Sequence, residues 1–250
     1  MIPRSLAVLA VSLAATSAFA VPAAPSAQAT GEYHAALKAL DDLVDEKDAL
    51  MALSQQEGAD KQQAEAIITR MTESHQQLKA HLDNAAAAGH AVAFHLKARL
   101  LFAEKPLGSK DAVCALYGQA AALGLTAGAL EYAKCALSYP PTDELNKRLA
   151  LLETAVQGDD PYKADYPLPT TFPYCYPKHK PPLQPGEDPI AWVQDNARPL
   201  NLSLEEFRAE GYYGLAMSSS EPNERRREWL TSAFAHGCRE DSARVKNWLK

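Results

Sequence analysis

Four cysteines (Cys114, Cys135, Cys175 and Cys238) and seven histidines (His34, His75, His81, His90, His95, His179 and His236) carry most of the reactive chemistry in this 250-residue chain. An even cysteine count suits disulfide bonding in an oxidising compartment, and four cysteines allow three pairings. No C-x-x-C is present, so neither a redox pair nor a zinc clamp is signalled. The histidines form no H-E-x-x-H and no Cys/His metal spacing. His90 and His95 are five apart and fall on different faces of a helix. His90 and His236 flank glycines, which reads as a role in turns. No G-x-S-x-G elbow, P-loop or G-x-G-x-x-G occurs. Asp41, Asp42, Asp45 and Glu46 read as the solvated face of a helix, and no carboxylates are paired for acid–base work. The expectation is a protein without a catalytic, cofactor or metal site.

The elements that position these residues are announced by a phrase that recurs four times: "HLDNAAAAG" (81–89), "LYGQAAALG" (116–124), "ALLETAVQG" (150–158) and "WLTSAFAHG" (229–237). The closing glycines, Gly89, Gly124, Gly158 and Gly237, are 35, 34 and 79 residues apart. The last interval is close to two periods, so one unit is missing or overwritten. A fixed period of this length marks a helical solenoid. Seven before each glycine stand Leu82, Tyr117, Leu151 and Leu230. Four before stand Ala85, Ala120, Thr154 and Ala233, and three before stand Ala86, Ala121, Ala155 and Phe234. These positions share a helix face, and the glycine fits the left-handed residue that ends a helix. Each phrase is therefore the last two turns of a helix before an abrupt reversal. Helical segments follow Gly89 and Gly124, with small residues matching at Ala93 and Gly128, then at Ala98 and Ala133. Breakers at 104–110 and 140–143 then intervene, with Asp111 and Thr142 as candidate N-caps of the next helices.

This pattern resembles the Sel-like repeat family, a branch of the tetratricopeptide-type α/α solenoids. The likeness rests on Trp229-Leu230, the Ala-Ala pairs, the glycines and the small residues that follow them. It covers 74–159 clearly and 203–250 more loosely, and it departs where Gly158 runs into Asp159-Asp160-Pro161. The family's usual glycine nine residues on is alanine here. The resemblance implies an all-α, right-handed solenoid of helix hairpins. It also implies an adaptor or scaffold role in envelope assembly or signalling.

In an antiparallel hairpin about Gly124, Cys114 and Cys135 both lie about 15 Å from the turn, side by side, so a disulfide can close there. Two buried free thiols are the alternative. Elimination then pairs Cys175 with Cys238, which would pin the Pro-rich segment to the last hairpin.

Residues 1–20 read as a secretory signal peptide, with Arg4, an apolar run and an Ala18-Phe19-Ala20 ending. Residues 21–31 read as a disordered linker. Residues 32–73 read as an N-terminal helical cap, with one helix over 32–57 and a second stretch over 60–88 that has a possible break near Thr72. Residues 74–160 hold the repeats. Residues 161–202 form a Pro- and aromatic-rich extended insertion: ten of the 17 prolines fall within 161–199. It reads as a structural segment along the solenoid, with a lid that contacts a partner as the other reading. A short helix is expected around 189–196. Residues 203–250 form a last hairpin, opened by a Ser203/Glu206 capping box, and a terminal helix.

Without the leader, 24 basic residues face 31 acidic ones, so nucleic acid and anionic membranes are poor partners. No segment is long and apolar enough to span a bilayer. The expected location is the periplasm, with secretion as the alternative. The concave face of a solenoid is lined by one helix of each pair. Here it offers His95, Lys97, Arg99, Glu131 and Lys134 as contacts for another protein. The leading reading is a non-catalytic protein-binding scaffold. The rivals are an immunity or inhibitor protein against an exported toxin or wall enzyme, and an envelope hydrolase.

Overall fold

Three of the four repeat glycines end helices through the same pair of backbone hydrogen bonds. The computed structural model describes residues 24–56, 58, 60–137, 141–170, 173–176, 185–186, 188 and 200–239. Gly89, Gly124 and Gly237 have φ of +86°, +89° and +93°. Each glycine N–H donates to the carbonyl three residues back, and the following N–H donates to the carbonyl five residues before it. The pairs are Gly89→Ala86 and His90→Ala85, Gly124→Ala121 and Leu125→Ala120, and Gly237→Phe234 and Cys238→Ala233, all within 2.9–3.2 Å. This is the Schellman closure, which needs a left-handed residue and so favours glycine. Gly158 corrects the fourth expectation. Its φ is −82° with extended ψ, and the chain leaves the helix there without a reversal.

The chain is all-α, with eight helices among the described residues: α1 (Ala27–Ser54), α2 (Lys61–Ala87), α3 (Ala91–Glu104), α4 (Lys110–Ala122), α5 (Thr126–Lys134), α6 (Asp143–Gln157), α7 (Leu204–Ser218) and α8 (Asn223–Ala235). A 3-10 turn (Lys163–Asp165) and two short strands, β1 (Leu168–Thr170) and β2 (Leu200–Leu202), lie between α6 and α7. Each helix packs on its sequence neighbour, and α5 also packs on α3 and α7. One core runs from Tyr33 in α1 to Cys238 beyond α8.

Several boundaries differ from expectation. Ser26 accepts a hydrogen bond from Ala29 N at 3.1 Å and starts α1 at Ala27, so 27–31 are helical, not disordered. α2 is continuous through Thr72 and carries the expected 73/74 boundary inside it. α4 begins at Lys110 after Ser109, and Asp111 lies in its first turn rather than at the cap. Thr142 does cap α6, accepting from Leu145 N at 3.2 Å. Ser203 and Glu206 form the capping box of α7. The leader, the helix expected near 189–196 and the terminal helix lie outside the described residues.

Small residues set how closely the helices approach. Gly128 in α5 sits over α4: a Cβ there would lie 2.7 Å from Ala120 Cβ and 2.9 Å from Ala121 N. Backbone cannot give way as a side chain can. Gly211 in α7 plays the same part against α6, where an added Cβ would run into Val156 Cγ1. Gly128→Ala is expected to gain about 1 kcal/mol in helix propensity and lose about 1–3 kcal/mol to overpacking. A net loss of stability on urea unfolding checks this; a gain would show that α4 and α5 can separate freely.

Candidate functional site

Partner contacts were expected on α3 and α5, and α7 packs beside α5. The chain itself covers the layer that these three helices form. From Asp159 an arm crosses this layer, and polar side chains hold its backbone. Asp160 Oδ2 accepts from Thr126 N at 2.9 Å and from the Tyr166 hydroxyl at 2.8 Å. The same hydroxyl accepts from Ala127 N at 3.2 Å. These are the open amides of the first turn of α5, whose own cap residue, Leu125, offers no side-chain bond. Asp160 thus serves as a remote cap on the positive end of that helix.

Farther along, His95 Nε2 on α3 donates to the Pro169 carbonyl at 2.9 Å. The Thr170 hydroxyl donates to Glu131 Oε1 on α5 at 2.5 Å. Lys134 Nζ lies 3.2 Å from the same oxygen. Glu210 on α7 accepts from Tyr174 N at 2.7 Å and Cys175 N at 2.6 Å. Leu168 pairs with Leu202 in the antiparallel β1/β2 ladder, and both are buried. Cys175 then bonds to Cys238, with Cα atoms 4.6 Å apart, and fastens the arm to the end of α8. Burial pushes the Glu210 carboxyl up, against the two amides it accepts from and the Lys134 charge.

This arrangement corrects the exposure assigned to two residues. His95 and Glu131 are buried, at 0% and 4% exposure, because the arm lies over them. His95 Nε2 and Glu131 Oε1 serve the arm, and His95 Nδ1 finds no hydrogen-bond partner among the described residues. Lys97 points elsewhere, pairing with Asp83 of α2 at 2.7 Å beside a small cleft of about 170 Å³.

Arg99, Glu131 and Lys134 come together differently. With Phe102, Lys110 and Tyr117 they line an open cleft of about 310 Å³ where the end of α3, the start of α4 and the end of α5 meet. The Cys114–Cys135 disulfide, with Cα atoms 5.9 Å apart, borders this cleft and ties α4 to the end of α5. Tyr117 is buried and its hydroxyl is pushed up by desolvation and by the Glu131 charge, with Arg99 acting in the opposite sense. Arg99 Nε is buried and finds no hydrogen-bond acceptor among the described residues.

Sequence reasoning missed Asp160, Tyr166 and Glu210, which hold the arm, and Phe102, Lys110 and Tyr117, which shape the cleft. The burial of His95 had a signal: Ala91 and Ala98 lie four before and three after it, on one small, apolar helix face. Among the described residues no cluster of His, Cys, Asp and Glu could hold a metal ion, and no helix is long and apolar enough to cross a membrane. Comparison with protein-family models, with curated proteins and with solved structures finds no match for this chain.

Proposed function

We propose that this protein is an exported, non-catalytic scaffold of the Sel-like repeat type that binds another protein in the periplasm. Successive helix hairpins closed by the same glycine turn support a right-handed α/α solenoid. Two disulfides are compatible with an oxidising location. The observation that carries the binding reading is the open cleft between α3, α4 and α5. The groove beside it is covered by the arm, whereas this cleft stays open beside three of the expected contacts, Arg99, Glu131 and Lys134. Clefts of this size at the meeting of helices are common ligand sites. The test is affinity isolation of the tagged full chain from the periplasm at low and high salt. The expected result is one specific protein retained over the untagged control. No specific protein at any salt would remove the reading.

A further inference from the structure

We propose that the cleft between α3, α4 and α5 takes a short acidic segment of a protein partner, with its carboxylates held by Arg99 and Lys110. This rests on the binding function proposed above and names the chemistry of that site.

Charge points first to an anion. The cleft is lined by three cations, Arg99, Lys110 and Lys134, against one carboxylate, Glu131, in a chain whose net charge is −6. That local excess of positive charge opposes the sign of the molecule. Glu131 Oε1 already accepts from the Thr170 hydroxyl and lies against Lys134 Nζ, so that carboxylate is committed to the arm. It does not neutralise the other side of the cleft. On that side the Arg99 guanidinium lies against the Tyr117 hydroxyl, and its Nε is buried with no acceptor among the described residues. A guanidinium that meets a neutral hydroxyl keeps its charge uncompensated, and an incoming carboxylate supplies the opposite charge.

The rim points to a peptide rather than a bare ion. Phe102 lines the cleft and is 38% exposed. Val113 also lines it, beside Phe102 and the two cysteines. An exposed aromatic ring and apolar wall beside three cations match a segment that alternates acidic and apolar residues. The cavity of about 310 Å³ holds a few side chains rather than a domain. The disulfide bordering it keeps the walls from moving apart when the segment enters.

The test is an NMR titration of the full chain, following the Arg99 Nε–H signal and the Lys110 amide. The probe is the peptide acetyl-Leu-Glu-Glu-Phe-amide. Its Gln-Gln and Lys-Lys counterparts and sodium sulfate are the comparisons. The expected result is a saturable shift at Arg99 and Lys110 with the acidic peptide, with binding about tenfold tighter than for the Gln-Gln peptide. Lys110→Glu, an exposed position, should weaken that binding about tenfold while leaving the rest of the spectrum unchanged. Equal shifts with the Gln-Gln or Lys-Lys peptide would overturn the proposal, as would no shift at Arg99. Sulfate reproducing the full effect would also overturn it, since that describes an anion site without peptide recognition. These failures leave the scaffold reading standing if affinity isolation retains a specific partner.

Discussion

Replacing Cys175 and Cys238 together with alanine is expected to lower the free energy of unfolding by about 4 kcal/mol. The bond joins residues 63 apart, and a cross-link over a loop of that length removes much of the freedom of the unfolded chain. The loss is large against the roughly 5–15 kcal/mol that stabilises a typical domain. In the fold the same bond fastens the arm where Glu210 holds Tyr174 N and Cys175 N. Freeing that end loosens the cover over His95 and Glu131. Cys114 and Cys135 are separated by only 21 residues, so their removal is expected to cost about 3 kcal/mol and to leave the arm in place. Urea unfolding of both double variants checks the order. Limited proteolysis should cut the arm only in the Cys175/Cys238 variant. Equal losses with an intact arm would show that the bond does not hold the arm.

Lowering the pH from 7 to 4.5 is expected to cost several kcal/mol through two buried histidines. His90 and His95 are both fully buried, and burial lowers each from the ordinary 6.5 to about 4. The charge of His34 adds to the effect at His90. At His95 the Pro169 carbonyl and Glu131 oppose it, while Arg99 and Lys134 add to it. Both rings are neutral in the fold at pH 7. Unfolding exposes them, and below pH 6.5 the unfolded chain takes up protons that the fold refuses. Stability is therefore full above about 6.5 and is lost as pH falls towards about 4, by about 3 kcal/mol for each ring. Asp165 and Glu210, both pushed up by burial, take up protons first in the fold and act in the opposite sense.

His90→Phe isolates one of the two histidine contributions. The ring stacks on Tyr33 at 4.3 Å between centroids and meets Tyr162 edge-on at 5.2 Å. Neither ring nitrogen has a hydrogen-bond partner among the described residues, and the Asp165 carboxylate is 4.0 Å away. Phenylalanine keeps the stacking and removes two unsatisfied buried nitrogens, so it is expected to stabilise the protein at pH 7 by about 1–3 kcal/mol. It should also remove about 3 kcal/mol of the acid loss. Urea unfolding at a series of pH values, with and without the substitution, measures both. An unchanged pH dependence would mean that His90 takes up its proton in the fold as readily as in the unfolded chain.

Much of the helical frame was legible because a glycine reversal leaves a mark in sequence. Before Gly89, Gly124 and Gly237 the carbonyls three and four residues back accept the closing hydrogen bonds, an alanine stands four back, and those columns are what recurs. Gly158 has Thr154 in place of the alanine four back and is followed by Asp-Asp-Pro; α6 buries Leu152 and Val156 instead of that column, and the tight turn is replaced by the arm. The hairpin resumes at α7, where Gly211 and Ala216 repeat the spacing of Gly128 and Ala133. That match was hidden because counting from Gly158 loses register across the insertion.

The site was harder to read. Helical periodicity placed His95, Arg99, Glu131 and Lys134 on the helices that line the groove. It carries no information about what lies over that face. The arm's path depends on contacts between residues far apart in the chain, such as Asp160 with Thr126 and Glu210 with Cys175. Such long-range pairings follow no local spacing rule.

The most direct measurement of the central claim is photo-crosslinking in producing cells. A benzophenone amino acid is placed at Phe102 in the cleft or at Tyr174 on the arm, both more than a third exposed. The account predicts a discrete protein adduct from position 102 and none from position 174. An adduct from 174 with none from 102 would contradict it, and would make the arm, rather than the cleft, the surface that meets the partner.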